Sequence, residues 1–453
     1  MANFFLRSAD GDNADNGSTW ALAKATLAGA FTACAAGDTV YVADGHSESA
    51  GGAITLTSPG TAAAPVRVLC VDDTGDPTTP TTLATTGVIT SGGNFSINCD
   101  GFAYVYGVTL KPGAGIGSSA DLNWISGNPW GWVLDNCKIV MDSDNVGALI
   151  VVGVSSTGQD DNYFALKNTT IKFGHTGQGF QRASGRFIWV ETLSAIDAAG
   201  SVPTTLFQIM SDTNQDVVLD GVDLSLLGSG ASIFNVAGGR TNNILMKNCK
   251  LGASVSLTTG SIPGPGGTIF TAYNCDSADT NYRIYEQTYE GTVRQETTIV
   301  RTGGSAQKHN AGDVTYSLKM ESTANSKFWT PLFNQAPLLA FNETTGSSIT
   351  ATVEIVNDGT TLTDGDVWLE VSYLGTTGFP IGSTARDRKA DVLATAANQT
   401  TSSVDWTTTG LTSPVKQKLA VTFTPQEQGV ISGRVMLAKA STIIYVDAAM
   451  TIS

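Results

Sequence analysis

The sequence of 453 residues predicts an all-β chain: a coiled β solenoid with an N-terminal capping helix, followed by an antiparallel β-sandwich. Three observations carry this. A short phrase recurs through the first two-thirds of the chain at a step suited to one turn of a solenoid. Charged residues are 14% of the chain, against about 25% in an average protein, while Gly, Thr, Ser and Asn crowd the polar positions. Beyond residue 313 the recurrence gives way to longer strands of in-and-out alternation.

The recurring phrase is clearest at Val133 to Ile139, Leu166 to Ile171, Val218 to Leu224 and Leu245 to Leu251. Each copy reads apolar, polar, Asn or Gly, a small residue, polar, apolar. Weaker copies stand at Tyr104 to Leu110 and Ala272 to Cys275. With Gly107, Asn136, Asn168, Gly221, Asn248 and Asn274 as register marks, the steps are 29, 32, 53, 27 and 26 residues. The step of 53 spans two turns. Asn136, Asn168, Asn248 and Asn274 are expected to stack at one corner, as a side-chain amide ladder, as left-handed turns each on its own, or as both at once. Cys137, Cys249 and Cys275 fall on or beside one position of the phrase, where a thiol serves as a small buried apolar group.

In chain order, residues 1–37 form a short strand at Asn3 to Arg7, a turn rich in Asp, Asn and Gly, and one helix. Ser18 or Thr19 caps that helix, Trp20, Ala23, Leu27, Ala30, Phe31 and Cys34 recur at helical spacing, and Gly37 ends it. Its apolar stripe rests on the open first rung and blunts that edge. Residues 38–302 are the solenoid, beginning with Asp38 to Ala43 and continuing through Ala53 to Thr57 and Val66 to Val71. A run of small polar residues from Gly303 to Gly312 separates it from residues 313–453. There Ile349 to Ile355, Val367 to Tyr373, Leu419 to Phe423, Val314 to Met320, Val430 to Leu437 and Ile443 to Val446 supply a sandwich of immunoglobulin-like or jelly-roll type.

The net charge of −15 and the lack of clustered Lys and Arg argue against nucleic acid as a partner. The longest apolar run, Val146 to Val154, is too short to span a bilayer. The opening Met1 to Ser8 lacks the basic and apolar regions of a signal peptide, so the expectation is synthesis in a cytoplasm without export. In that compartment six scattered cysteines read as reduced thiols. No cofactor is implied, and three dispersed histidines make no zinc site.

Acidic residues are the natural candidates for chemistry: Asp72-Asp73, Asp142 with Asp144, Asp160-Asp161, Asp220 with Asp223, and Glu191, with Arg182, Arg186 and His175 nearby. Cleaving a glycosidic bond needs two carboxylates facing each other at a set separation. Neighbouring residues of an extended chain diverge, and Asp in these settings more often caps a turn, so no catalytic residue is assigned. His46, His175 and His309 read as surface residues without a partner at a telling spacing. Asp10 to Gly17 has oxygen ligands but misses the calcium-loop spacing, and reads as a turn. Trp124, Trp130 and Trp132 are the candidates for contact with carbohydrate or a partner subunit, with packing between rungs as the competing reading.

The opening, a strand, an Asp/Asn/Gly turn, Ser18 to Leu27 and then Ala35 to Ala43, resembles the start of right-handed parallel β-helix proteins of the pectate-lyase-like superfamily. With a β-sandwich added and no signal peptide, the chain resembles bacteriophage virion proteins: tailspikes, fibres and head decoration proteins. The resemblance implies a homotrimer on a virion, made in the host cytoplasm and in contact with other virion proteins and with host surface glycan. Polygalacturonase-like motifs are present only in broken form, at Gly174-His175-Thr176 and Arg283-Ile284-Tyr285. The expectation is therefore a non-enzymatic structural protein of the particle surface. A tailspike depolymerase is the rival, and a bacterial adhesin the third possibility.

Overall fold

A computed structural model of the chain describes residues 1–113, 117–126, 129–153, 162–182, 185–209, 215–236, 242–260, 269–277, 283–287, 291–296, 298–301, 307–309, 312–314, 316–323, 328–329, 339–342, 348–360, 362, 365–375, 392–394, 400–401, 406–423, 429–447 and 450–453. The chain forms two compact units, Met1–Ile269 and Phe270–Ser453.

The first unit is a parallel β-helix with three strands to a rung. One rung runs Gly131–Asp135, Lys138–Met141, Ile150–Val152, and the next runs Tyr163–Lys167, Thr170–Phe173, Phe180–Arg182. Each strand lies in parallel register on its counterpart, as in Asp135 on Lys167, Ile139 on Ile171 and Ile150 on Phe180. Among the described residues the third ladder contains eight strands, from Ile54–Thr57 to Ser256–Gly260.

The corner after the first strand explains the sequence phrase. Gly107, Asn136, Asn168, Glu191, Gly221 and Asn248 all have positive φ, between 47° and 80°. Gly and Asn adopt that conformation at least cost, which is why they recur. The rung inside the step of 53 residues is Gly185–Val190, and Glu191 turns its corner. Corner amides donate from rung to rung: Asn136 N–H to Lys167 O at 2.9 Å, Glu191 N–H to Asp220 O at 3.0 Å.

The expected amide ladder is not what holds this corner. Asn136 Nδ2 donates to Asp135 at 2.8 Å and Asn248 Nδ2 to Asp220 at 2.9 Å, so carboxylates take the amides. Asn274 lies within the strand Ile269–Ser277 and not at a corner. The residue after the corner is a buried column of Val108, Cys137, Thr169, Val222 and Cys249. Thiol and hydroxyl there back-bond to the preceding carbonyl, Cys137 Sγ to Asp135 O at 3.4 Å and Thr169 Oγ1 to Lys167 O at 2.9 Å. All six cysteines are free thiols.

The interior is filled by aromatic rings stacked along the axis. Phe180, Phe207 and Phe234 stack nearly parallel, with centroids 4.8 and 5.2 Å apart. Face-to-face packing one rung apart follows from the parallel register, which places like residues at the strand spacing of about 4.8 Å.

The helix at the N-terminus is shorter than its sequence periodicity. Trp20–Leu22 is a single 3-10 turn, and the α-helix spans Leu27–Ala33 with Thr26 as its cap, Oγ1 accepting from Gly29 N–H at 3.0 Å. Between them Lys24 is extended: its N–H donates to Phe5 O and its carbonyl accepts from Arg7 N–H. Backbone pairing with the edge strand thus outweighs helix propensity at this point. The helix still buries Leu27, Ala30 and Phe31, and it packs on Asn3–Leu6 and Ile54–Thr57.

The second unit is antiparallel. Gly291–Glu296, Ser317–Ser322, Ile443–Asp447, Ile349–Asp358 and Pro414–Phe423 share one sheet. Val367–Gly375, Gly429–Leu437, Leu339–Asn342 and Val392–Ala394 form another. Leu318, Val353 and Leu419 from the first sheet and Leu369, Val435 and Leu437 from the second belong to one buried cluster, so the sheets pack face to face. The first antiparallel pair of described strands, Ile269–Ser277 with Arg283–Gln287, stands ahead of the composition change near residue 303.

Candidate functional site

The solenoid places the acidic candidates at corners and on outward strand positions, where Lys of the neighbouring rungs meets them. Asp142 accepts from Lys111 at 2.8 Å and from Lys172 at 2.7 Å, and these two hydrogen bonds, Lys111 first, hold its carboxyl below the ordinary value. Asp220 pairs with Lys247 at 3.0 Å and Asp223 with Lys250 at 3.3 Å. Asp197, which the sequence did not single out, pairs with Lys138 at 2.5 Å. Asp144 accepts from Gly117 N–H, and Asp72 from Thr74 N–H. Asp160 and Asp161 lie outside the described residues. Asp142, Asp220, Asp223 and Asp197 stitch rungs together, and Asp144 and Asp72 accept from backbone amides.

One acidic group is different. Asp44 hydrogen-bonds to Asp73, and its carboxyl is raised above the ordinary value by burial first and by that neighbour second. Asp73 also accepts from Arg7 at 3.2 Å, and Arg7 binds Asp10 and Asp76, both at 2.7 Å. Beside this group lies an open cleft of about 400 Å³ lined by Ser18, Thr19, Trp20, Asp76 and Thr78. Carboxyls sharing a hydrogen bond are about 3 Å apart, well inside the roughly 5 Å or more that glycoside cleavage uses. Trp20 is 3% exposed, so it offers the cleft almost no ring face.

The remaining sequence candidates are engaged elsewhere. Arg182 is fully buried, donates to Val152 O at 3.1 Å and Gly185 O at 2.9 Å, and lies 5.5 Å from the Phe187 ring centre. Arg186 is exposed and faces Asp216 at 3.8 Å. His175 Nδ1 accepts from Gly177 N–H at 2.9 Å. His46, expected at the surface, is buried with Glu48 3.6 Å away, and Glu48 accepts from Leu27 N–H, the start of the capping helix. In the Asp10 to Gly17 turn, Asp12, Asn13 and Asn16 accept from backbone amides. Among the described residues no three His, Cys, Asp or Glu side chains converge on a metal position.

Trp124, Trp130 and Trp132 correct the sequence expectation of a contact surface. All three are 0% exposed. Trp124 meets Trp132 edge-on at 6.1 Å and Phe164 at 4.2 Å, and Trp132 meets Phe31 of the capping helix at 6.2 Å. Trp124 stands two residues from Leu122 and Trp132 two residues from Leu134, on the same inward strand faces, so the burial of these two is forced by strand period. No ring face is left for a sugar.

The outward face of the third ladder carries a column that the sequence does not display. In register, one residue per rung, stand Thr55, Asn98, Asn123, Val151, Gln181, Gln208, Asn235 and Thr259. Asn123 Nδ2 donates to Asn98 Oδ1 at 3.0 Å, and Gln208, Asn235 and Thr259 are exposed. An uncharged column of amides and hydroxyls, interrupted by Val151 and with Asn123 buried, offers donors and acceptors near strand spacing, which suits a hydroxyl-rich partner. Strands of three to five residues are too short to announce this; only the register aligns them.

No family model matches the chain, and no curated protein matches it. Among solved structures the chain is similar to the crystal structure of the bacteriophage CBA120 tailspike protein 4 enzymatically active domain. The identity is 9% and the TM-score 0.19, over 94% of this chain and 65% of that one, so the chain spans just under two-thirds of that domain. A likeness of that identity and score is no basis for assigning an activity, and the β-helix rests on the strand registers. Among the described residues no helix is long and apolar enough to cross a membrane.

Proposed function

We propose that the chain is a structural bacteriophage virion protein displayed on the particle surface, as a head decoration, fibre or tail spike, acting as a rigid attachment or stabilising module and assembling as a homotrimer. The observation that carries this is the use of its acidic residues. Asp142, Asp197, Asp220 and Asp223 bind Lys of other rungs and reinforce ladders that already run the length of the solenoid. A body built this way resists unfolding along its axis, because each rung buries its apolar face only against its neighbours. The amide and hydroxyl column of the third ladder is the surface it offers to host glycan.

A tailspike depolymerase is the second reading, and the acidic group it would draw on is Asp44 beside Asp73, where burial and that neighbour raise the Asp44 carboxyl above its ordinary value, although the pair is closer than glycoside cleavage uses. The experiment is incubation of the purified protein with host capsule or lipopolysaccharide, followed by measurement of glycan chain length. Unchanged length over many hours is the expected result. Reproducible shortening that Asp44→Asn or Asp73→Asn abolishes, in protein that remains folded, overturns the structural reading.

A further inference from the structure

The first ladder presents an outward stripe that soluble faces rarely carry. Tyr104, Val133, Ala165, Ile188, Val218 and Leu245 lie in register on six successive rungs. They alternate with inward core residues such as Leu134, Leu166 and Leu219, so all six point away from the core. None is buried, and Leu245 is 36% exposed. At one side of the stripe Phe102 and Tyr163 meet across Gly131, their ring centres 6.4 Å apart. A Cβ on Gly131 would sit 2.3 Å from the Tyr163 ring, so the glycine is what lets the two rings close.

The edges of the stripe are charged and balanced. Asp135 faces Lys167 at 3.5 Å, Asp220 faces Lys247 at 3.0 Å and Arg186 faces Asp216 at 3.8 Å. Three cations and three anions leave this face neutral in a chain of net charge −15. Arg67 occupies the next position of the column and bounds the stripe at its N-terminal end.

We infer that this stripe is where a second copy of the same chain docks, with the stripes of the copies facing one another around the symmetry axis. The inference rests on the homotrimer reading and assigns its contact face. Two physical arguments select a copy of this chain as the occupant. Six outward residues in one straight column, about 4.8 Å apart, are covered together only by a partner that is itself straight along that axis, and another solenoid is such a partner. Copies that each carry −15 repel in general, and they approach at least cost where each presents paired charges of both signs. The stripe spans roughly 24 Å by strand spacing. A column one residue wide and of that length covers less than the roughly 800 Å² per partner of a stable interface, so it is the apolar centre of a contact whose rim is the charged edges.

Sedimentation of the full chain tests this, with Ile188→Glu and Val218→Glu on the stripe and Gln208→Glu on the third ladder as a control. The expected result is an oligomer for the wild type and for Gln208→Glu, and at least tenfold weaker association for the stripe variants, whose circular dichroism stays native. Val218→Cys with a short bismaleimide supplies a test that does not disturb folding and is expected to give covalent dimers that the wild type, with its partly exposed Cys34, does not form. An oligomeric wild type whose stripe variants associate equally well, and whose Val218→Cys form does not cross-link, overturns the assignment and leaves the homotrimer reading standing. A wild type that remains monomeric at all concentrations overturns both.

Discussion

Phe180 and Phe207 stack one rung apart in the centre of the solenoid, ring centres 4.8 Å apart and planes within 10° of parallel. Phe207 is sandwiched, since Phe234 stacks on its other side at 5.2 Å. Phe207→Ala therefore opens a cavity between two rings held by parallel ladders that cannot close in on it. The expected loss is about 3–5 kcal/mol of stability, read by denaturant unfolding, with Phe207→Leu losing clearly less.

Glu191 turns a corner at a φ of 80°, a conformation that costs a side chain with a Cβ about 1 kcal/mol or more. Glu191→Gly removes that cost, and Glu191→Asn reduces it. Both are expected to raise the melting temperature of the solenoid by a few degrees, and a fall on either substitution would show that the Glu191 side chain is needed where it stands.

Asp142 gives a pH signature. Lys111 and Lys172 lower its pKa in the folded protein, so its contribution is fully present above its unfolded value of about 3.9 and is lost as pH falls through the lower folded value. Asp142→Asn is expected to melt slightly below the wild type at pH 7 and together with it near pH 2. The difference is small because the carboxyl is about one-third exposed.

In the antiparallel unit, Arg301 reaches Glu354 at 2.6 Å and Asp447 at 3.1 Å, and both carboxylates are nearly buried. Burial raises the Glu354 carboxyl, with Arg301 opposing. Arg301→Met strands two buried carboxylates and is expected to destabilise this unit by about 3–5 kcal/mol at neutral pH. Because the carboxyls then take up protons on folding, the loss shrinks as pH falls. Chemical denaturation at pH 7 and pH 4.5 checks both the size and the sign.

The sequence made the solenoid legible where the chemistry of the corner allowed it. Gly107, Asn136, Asn168, Gly221 and Asn248 mark rungs because only a few residue types suit their φ. The rung of Gly185–Val190 stayed hidden because Glu191 does not belong to that set. The early rungs were blurred for another reason: residues 72–86 are inserted between the strands Val66–Val71 and Gly87–Ser91, which breaks the period. The clustering of the tryptophans around Gly127-Asn128-Pro129 suggests an exposed loop, although Trp124 two residues from Leu122 and Trp132 two residues from Leu134 share those leucines' inward faces. The amide column and the apolar stripe were beyond any sequence reading, because each is assembled from one residue per rung and depends on a register that insertions of variable length conceal.

The most direct test of a structural role on a virion is electron microscopy of purified phage particles labelled with antibodies against this chain. The account predicts label at regular positions on the particle surface. Particles that never carry label, while the protein is found only free in the lysate, would contradict it.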